Sequence, residues 1–523
     1  MLAEVTVYDP VTSANRVLRF STGAYSHASA PGFYRDAILE RSRFRREIFA
    51  DGLAFGASSN DYGRLLVANL DGSLDWLIER DCAADGRPIR LLIGDQAAPY
   101  SAFAPVFSGR VGQMLVGLDQ VEFRILDDFA ALLDQPVGLQ KFAGSNVLPN
   151  GLEGVADLKD QWVPVGYGTA FNVPAPCCNT SKLIYCVADR AVDPLTVTAV
   201  RDRGALLVQG VQRASVAALE ATSPAAGTWD FFPGNATTPA YIRLGSMPVG
   251  DVTATITTGT TAAARTTAQL FRRILAQRAG VPVGSISSAD LAALDAANGA
   301  EVGFWATGET SRRECLDFLA GSVGAGYWQD AAGTWRIRRI EAPAGTPVVT
   351  FAQIGLGRPG RATDADLIKL EPLFTSREDA GLPIRRAVIR YGRNHTVQNR
   401  DALAGVALSD LQRLSAEWLE RSAESAEVQA LHPMAGELTA DTAYATEAAA
   451  ALEASRRLTL FGVTRRRFSL TARLTPAMAA GLDLGAVVKV EHDRFGLQSG
   501  KSFLITAIEF DVMSQIAELV IWG

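Results

Sequence analysis

Residues 107–126 and 503–522 superpose without a gap at an offset of 396, and this repeat constrains the fold more than any other feature of the chain. It sets Phe107 on Phe503, Glu122 on Glu518, Phe123 on Leu519 and Ile125 on Ile521. The same four elements surround both copies in the same order. Each copy has a strand (64–70; 467–474), a short helical piece (73–80; 475–482), a strand entered by glycine (88–93; 485–492) and a hairpin (106–115 with 120–126; 502–510 with 515–522). In the first copy, Leu74, Leu77 and Ile78 have the spacing of one buried helical face. Such a series predicts an internally duplicated β-barrel-like domain. Convergent hairpin patterning would leave a similar trace, because the identities are few.

Between the repeats the character of the sequence changes. Residues 140–260 are rich in Pro, Gly and Thr, with β-type runs at 182–187, 195–200 and 252–257. Helical spacing follows at 267–278, 288–294 and 310–320, the last with Thr310 as its N-cap. A strand at 334–340 comes next, and 409–457 reads as helical, broken at His432-Pro433. The expected fold class is multidomain and mainly β with α+β parts, two tube-like β-barrel domains flanking inserted α/β and helical segments. The division runs 1–138 (first barrel), 139–262 (β-rich insertion), 263–365 (α+β insertion) and 366–523 (second barrel, with a helical insertion at about 409–457). At ~150 residues per domain, 523 residues allow three or four.

A net charge of −6 excludes a strongly basic nucleic-acid binder, whose affinity rests on neutralised phosphates. Five cysteines in a chain of this length exclude a disulfide scaffold and fit a reducing compartment. The N-terminus lacks the basic and apolar regions of a signal peptide, and no run reaches 18 apolar residues, so a soluble protein without membrane insertion is expected.

The motifs that carry chemistry are weak. Gly355–Gly360 (GLGRPG) matches the dinucleotide fingerprint formally, but Pro359 interrupts it and no βαβ pattern surrounds it. Gly496–Ser502 (GLQSGKS) is one residue short of a phosphate-binding loop and joins two strands, so it reads as a hairpin loop. Cys177, Cys178 and Cys186 cluster, but a zinc or iron–sulfur site needs a fourth ligand; no metal and no cofactor are expected. His27, His395, His432 and His492 show no paired spacing, and no nucleophile elbow is present. Arg41, Arg43, Arg45 and Arg46 crowd one strand, and Arg465, Arg466 and Arg467 precede another. They read either as a solvated face or as subunit-interface stripes, since Arg bonds carboxylates bidentately.

The blocks at 68–79 (ANLDGSLDWLIE), 151–175, 314–343, 388–398 and 482–510 resemble tail hub proteins of long-tailed bacteriophages, in the order found there. The resemblance implies a non-enzymatic tail-tip or baseplate hub at the virion tail tip, assembled in the host cytoplasm. Three copies carrying two barrels each would match the sixfold tail tube and help close the DNA channel until ejection. The implied partners are further copies in a homotrimer, a distal tail or tail tube protein, the tape-measure protein, other tip or fibre proteins, and DNA in transit only. Two other readings stay open. A receptor- or carbohydrate-binding tail protein would display an aromatic platform drawn from Trp305, Tyr327, Trp328 and Trp335, and a cell-wall or capsule hydrolase would carry a carboxylate pair.

Overall fold

The computed structural model describes residues 1–39, 43–48, 59–126, 128–190, 193, 195–353, 364–373, 383–403, 406–511 and 514–523. The fold is multidomain and mainly β. The first barrel opens with β1 (Leu2–Asp9) and β2 (Ala14–Ser21), a hairpin in register from Leu2↔Ser21 to Asp9↔Ala14. Strand β1 alternates as its sequence dictates, burying Ala3, Val5 and Val7. Then come β3 (Arg35–Asp36), an outlying hairpin β4 (Arg43–Glu47) and β5 (Ser59–Tyr62), and β6 (Arg64–Ala68). Helix α1 (Trp76–Glu79) precedes the meander β7 (Pro88–Ile93), β8 (Ala104–Val116) and β9 (Gln120–Leu126). The sheet order is β3-β2-β1-β7-β8-β9-β6. It closes where Leu39 N–H donates to Leu66 O (2.9 Å) and Ala68 N–H to Ala37 O (2.7 Å). Leu74 and Leu77 are buried as expected, but Ile78 is 63 % exposed, because α1 is a single turn and presents only a narrow face to the barrel.

The insertion begins with two five-stranded sheets packed face to face. One carries Val165–Pro174, Leu195–Asp202 and Val252–Thr258, and the other Ile184–Ala188, Thr228–Phe232 and Ala240–Leu244. Val197, Trp229, Ile242 and Ile256 fill the space between them. Helix α2 (Thr267–Arg273) continues through a π-turn to Arg278, whose guanidinium reaches Asp189 (2.8 Å) and the Tyr167 hydroxyl (2.9 Å). Helix α3 (Ser288–Ala297) is capped by Ser287, and α4 (Arg312–Ser322) by Ser311 in a capping box with Glu314. The cap is thus one residue beyond Thr310, since only Ser311 is three residues from the reciprocating glutamate. A hairpin, Ala325–Gln329 with Trp335–Arg339, follows.

The segment expected to be helical at 409–457 is only partly so. Leu419–Glu424 and Gly436–Asp441 are strands that flank Ile384–Tyr391, and α5 (Glu447–Phe461) covers the resulting sheet. Their Ala- and Glu-rich sequences favour helix weakly, and pairing with an apolar strand overrides that preference.

The second barrel comprises β10 (Thr350–Gln353), β11 (Asp364–Pro372), β12 (Arg467–Arg473), helix α6 (Pro476–Gly481), β13 (Val487–Glu491), β14 (Lys501–Asp511) and β15 (Ile516–Trp522). The ladder runs β13-β10-β11-β12-β15-β14, and β14 pairs back onto β13 to close six strands. Its first strand, β10, comes from residues that the sequence reading leaves in the preceding α+β segment. The outlying hairpin β4–β5 of the first barrel is added to β14, in register from Ala507↔Glu47 to Asp511↔Arg43. One apolar cluster runs through both barrels, from Val5 and Phe123 to Phe503 and Leu519. The barrels lie side by side, with α6 against β8.

Candidate assembly interface

The two barrels repeat each other ladder by ladder. In the first, β6 meets β9 at Leu65↔Phe123, and β7 meets β8 at Pro88↔Arg110 and Leu91↔Phe107. In the second, β12 meets β15 at Leu470↔Leu519, and β13 meets β14 at Val487↔Leu504 and Val490↔Lys501. A bulge interrupts both central hairpins, between Val111 and Gln113 in one and between Ile505 and Ala507 in the other. The entry to the third strand is also shared. Gly86 (φ +68°) donates its N–H to Val111 O and Gly485 (φ +70°) to Ile505 O, each at 2.8 Å. The return bonds run from Val111 N–H to Arg87 O (2.9 Å) and from Ile505 N–H to Ala486 O (3.0 Å). A left-handed turn favours glycine, so these two positions need it. The barrels differ in that β1 has no counterpart, and β10 therefore lies parallel to β13.

The gapless superposition is corrected in one respect. The offset of 396 holds for β9 on β15, but the bulges sit 394 apart (506 − 112), because beyond its bulge the second hairpin has five registered pairs against four, one more residue on each strand. A slip of two keeps every side chain on its own face, which is why the sequence pattern survives it.

The β4 arm is where the barrels interlock. Arg46 is 5 % exposed and donates to Asp483 Oδ1 (2.7 Å) and to Gln329 O (3.1 Å). Asp483 also accepts from Trp328 Nε1 (3.1 Å), so one carboxylate ties the arm, the 325–339 hairpin and the second barrel together. On the other side of that hairpin, Arg339 bonds Glu453 of α5 (2.7 Å), which also holds Arg456 (2.7 Å) and Arg457 (2.8 Å). Burial alone would raise the Glu453 carboxyl; hydrogen bonds from Arg456 and the charge of Arg457 outweigh it and bring the group down to about 2.

The arginine stripes separate by face. Arg46 turns inward, whereas Arg45 is exposed, bonded to Glu47 (2.9 Å) and opposite Glu509 in register. Arg43 stands opposite Asp511, and Arg41 lies outside the described residues. Arg465 donates to Leu460 O (3.1 Å) and packs over Trp522, and Arg466 donates to Phe495 O (2.6 Å). Arg467 begins β12, opposite Trp522.

The cysteines do not gather into one site. Adjacent strand residues point to opposite faces, so Cys177 packs against the sandwich core while Cys178 and Cys186 are buried in a separate cluster with Phe142 and Tyr241. Among the described residues, no group of three His, Cys, Asp or Glu could hold a metal ion, and no helix is long and apolar enough to cross a membrane. GLQSGKS joins antiparallel β13 and β14 as a hairpin loop, and GLGRPG lies outside the described residues. The aromatic platform does not form. Tyr327, Trp328 and Trp335 are at most 2 % exposed and belong to the core: Tyr327 and Trp335 face α2 and α4, and Trp328, on the opposite face of the hairpin, joins the barrel core. Trp305 lines a cleft of about 430 Å³ with Phe318, Arg393 and His395. Burial, reinforced by Arg393 and Arg413, pushes the His395 imidazole down to about 3, so it stays neutral beside Trp305.

No protein-family model matches the chain, and no curated protein does. Among solved structures, it is similar to a prophage MuSo2 43 kDa tail protein from Shewanella oneidensis, at 11 % identity and a TM-score of 0.40 over 99 % of this chain and 98 % of that one. It is similar to a tail protein from Neisseria meningitidis MC58, at 11 % identity and a TM-score of 0.37 over 100 % and 96 %. A chain of the virion of a native gene transfer agent particle matches at 14 % identity and a TM-score of 0.40, over 70 % of this chain and 84 % of that one.

Proposed function

We propose that this chain is a structural virion protein, a tail-tip or baseplate hub in which three copies close a ring of six barrels. The observation that carries the reading is the repeated barrel: the same ladders, bulge and glycine entry recur in two units packed side by side. A chain that holds two equivalent modules lets a threefold object present sixfold contacts, and head-to-tail contacts close such a ring without new chemistry. On one side the ring meets the tail tube or a distal tail protein, and on the other the more distal tip or fibre proteins. Its centre is the DNA passage, which the ring helps close until ejection, with the end of the tape-measure protein as a contact. The role is non-enzymatic, the chain acting through fit and closure.

The test is reconstitution. Purified protein mixed with isolated tail tubes should cap one end only, and its native mass should be three times 55.7 kDa. Lateral binding along tubes, or a strictly single-copy species at every concentration, would overturn the reading. Turnover of a cell wall or capsule that is lost on one Asp or Glu substitution would instead establish an enzyme.

A further inference from the structure

Among the described residues, strand β8 is covered on both edges for only about half its length. Strand β7 pairs with it up to Arg110, and the Gly86–Arg87 turn bonds Val111. From 112 to 116, β9 lies along one edge, and among the described residues no strand lies along the other. In the second barrel the equivalent stretch, 506–510, is covered there by β4, and Ile48 N–H donates to Thr506 O (3.0 Å) at the place of Gly112.

The ladder fixes which groups are left open. Gly117 N–H donates to Gln120 O (2.8 Å), so by antiparallel alternation 113 and 115 turn their backbone groups toward β9. The N–H and C=O groups of Met114 and Val116 then face outward, while Gly112 is the bulged residue at which the alternation breaks. Side chains tell the same story. Met114 and Val116 are only half-buried, whereas their counterparts Ile508 and Phe510 are 1 % and 2 % exposed beneath the arm. Leu115 is 64 % exposed. Helix α1 stands where α6 stands in the second barrel; α6 packs on β8, while α1 leaves Ile78 in solvent. An open, apolar sheet edge is a site for strand addition.

We propose that residues 112–116 accept a strand from the second barrel of another copy of this chain, extending the first barrel's sheet across the subunit boundary. The inference rests on the ring reading and adds which edge joins the copies. The relation between barrels within the chain names the occupant. There the first barrel covers the second barrel's 506–510 edge, and repeating that relation around a ring brings the second barrel of a neighbour to 112–116. The β4 segment itself is excluded as the incoming strand. It is already paired, and its Arg45 and Arg43 stand opposite Glu509 and Asp511, where β8 offers Leu115 and Gly117.

The experiment is residue-resolved hydrogen exchange on the full chain, comparing ring and single-copy fractions. In the ring, the Met114 and Val116 amides should slow at least tenfold, while Gln113 and Leu115 are protected equally in both. Met114→Pro removes an outward N–H that has no partner among the described residues, so the single copy should fold and the ring should weaken at least tenfold. Leu115→Lys leaves the backbone intact and should also weaken the ring, so the test survives if the proline variant misfolds. A ring in which Met114 and Val116 exchange as fast as in the single copy, or rings of wild-type strength in both variants, would overturn the edge proposal and leave the hub reading standing. A wild-type chain that never forms a ring removes the hub reading, and the edge proposal with it.

Discussion

Replacing Glu453 with Gln tests how the insertion is locked to the arm-bearing face of the barrels. The carboxylate is fully buried and bonded by Arg339, Arg456 and Arg457, and Arg457 also reaches the Gly321 carbonyl at the end of α4 (2.5 Å). Holding the group near 2, against an ordinary value of 4.5, favours the charged form in the folded state by roughly 3 kcal/mol, at ~1.4 kcal/mol per tenfold. The sign follows from which state takes the proton first. The unfolded chain protonates near 4.5, so the contribution is complete above that pH and is lost as pH falls toward 2. Glu453→Gln leaves three arginines around a neutral amide, which should cost about 3–5 kcal/mol at pH 7. Urea unfolding read by tryptophan fluorescence is the assay, since Trp328 and Trp335 are core residues of the hairpin that carries Arg339. The variant should be destabilised at pH 7 and should lose much of the wild-type decline between pH 5 and 3. A cost below about 1 kcal/mol, or an unchanged acid slope, would refute the lock.

Three further outcomes follow from the same geometry. The neutral His395, held near 3 by burial, makes stability fall as pH drops from 6.5, because the unfolded chain protonates first; His395→Phe should flatten thermal stability between pH 6.5 and 5. Arg46→Met should cost roughly 3 kcal/mol, the low end for a buried pair because Asp483 keeps Trp328 Nε1, and should speed hydrogen exchange across β14 at 507–511. Gly86→Ala and Gly485→Ala should each cost about 1–2 kcal/mol in thermal melts, since both sit at positive φ; a neutral effect at both would remove the shared turn from the account.

The parts legible in the sequence were those whose signal is local. The meander β7–β8–β9 and its counterpart β13–β14–β15 announce themselves through period-two alternation, a glycine entry and tight turns, and an even slip of two residues left that pattern intact. The arm was not legible, because nothing near 43–47 states that the partner strand begins at Ala507. Its alternating arginines looked like one stripe, whereas pairing splits them into the buried Arg46 and the exposed Arg45. The strands at 419–424 and 436–441 were hidden for a related reason: their composition is that of a helix, and the apolar strand Ile384–Tyr391 lies far enough upstream to escape any window. Cys177 and Cys178 form one cluster only in the sequence, where adjacency conceals the alternation that sends them to different cores.

The claim at the centre of the account is that two like barrels per chain build one continuous collar. The most direct measurement is a cryo-electron-microscopy reconstruction of the assembled protein without imposed symmetry. The account predicts a threefold ring in which six barrels alternate, first and second, around a central passage. A ring of three barrels with the other three outside it, or any other rotational order, would contradict it.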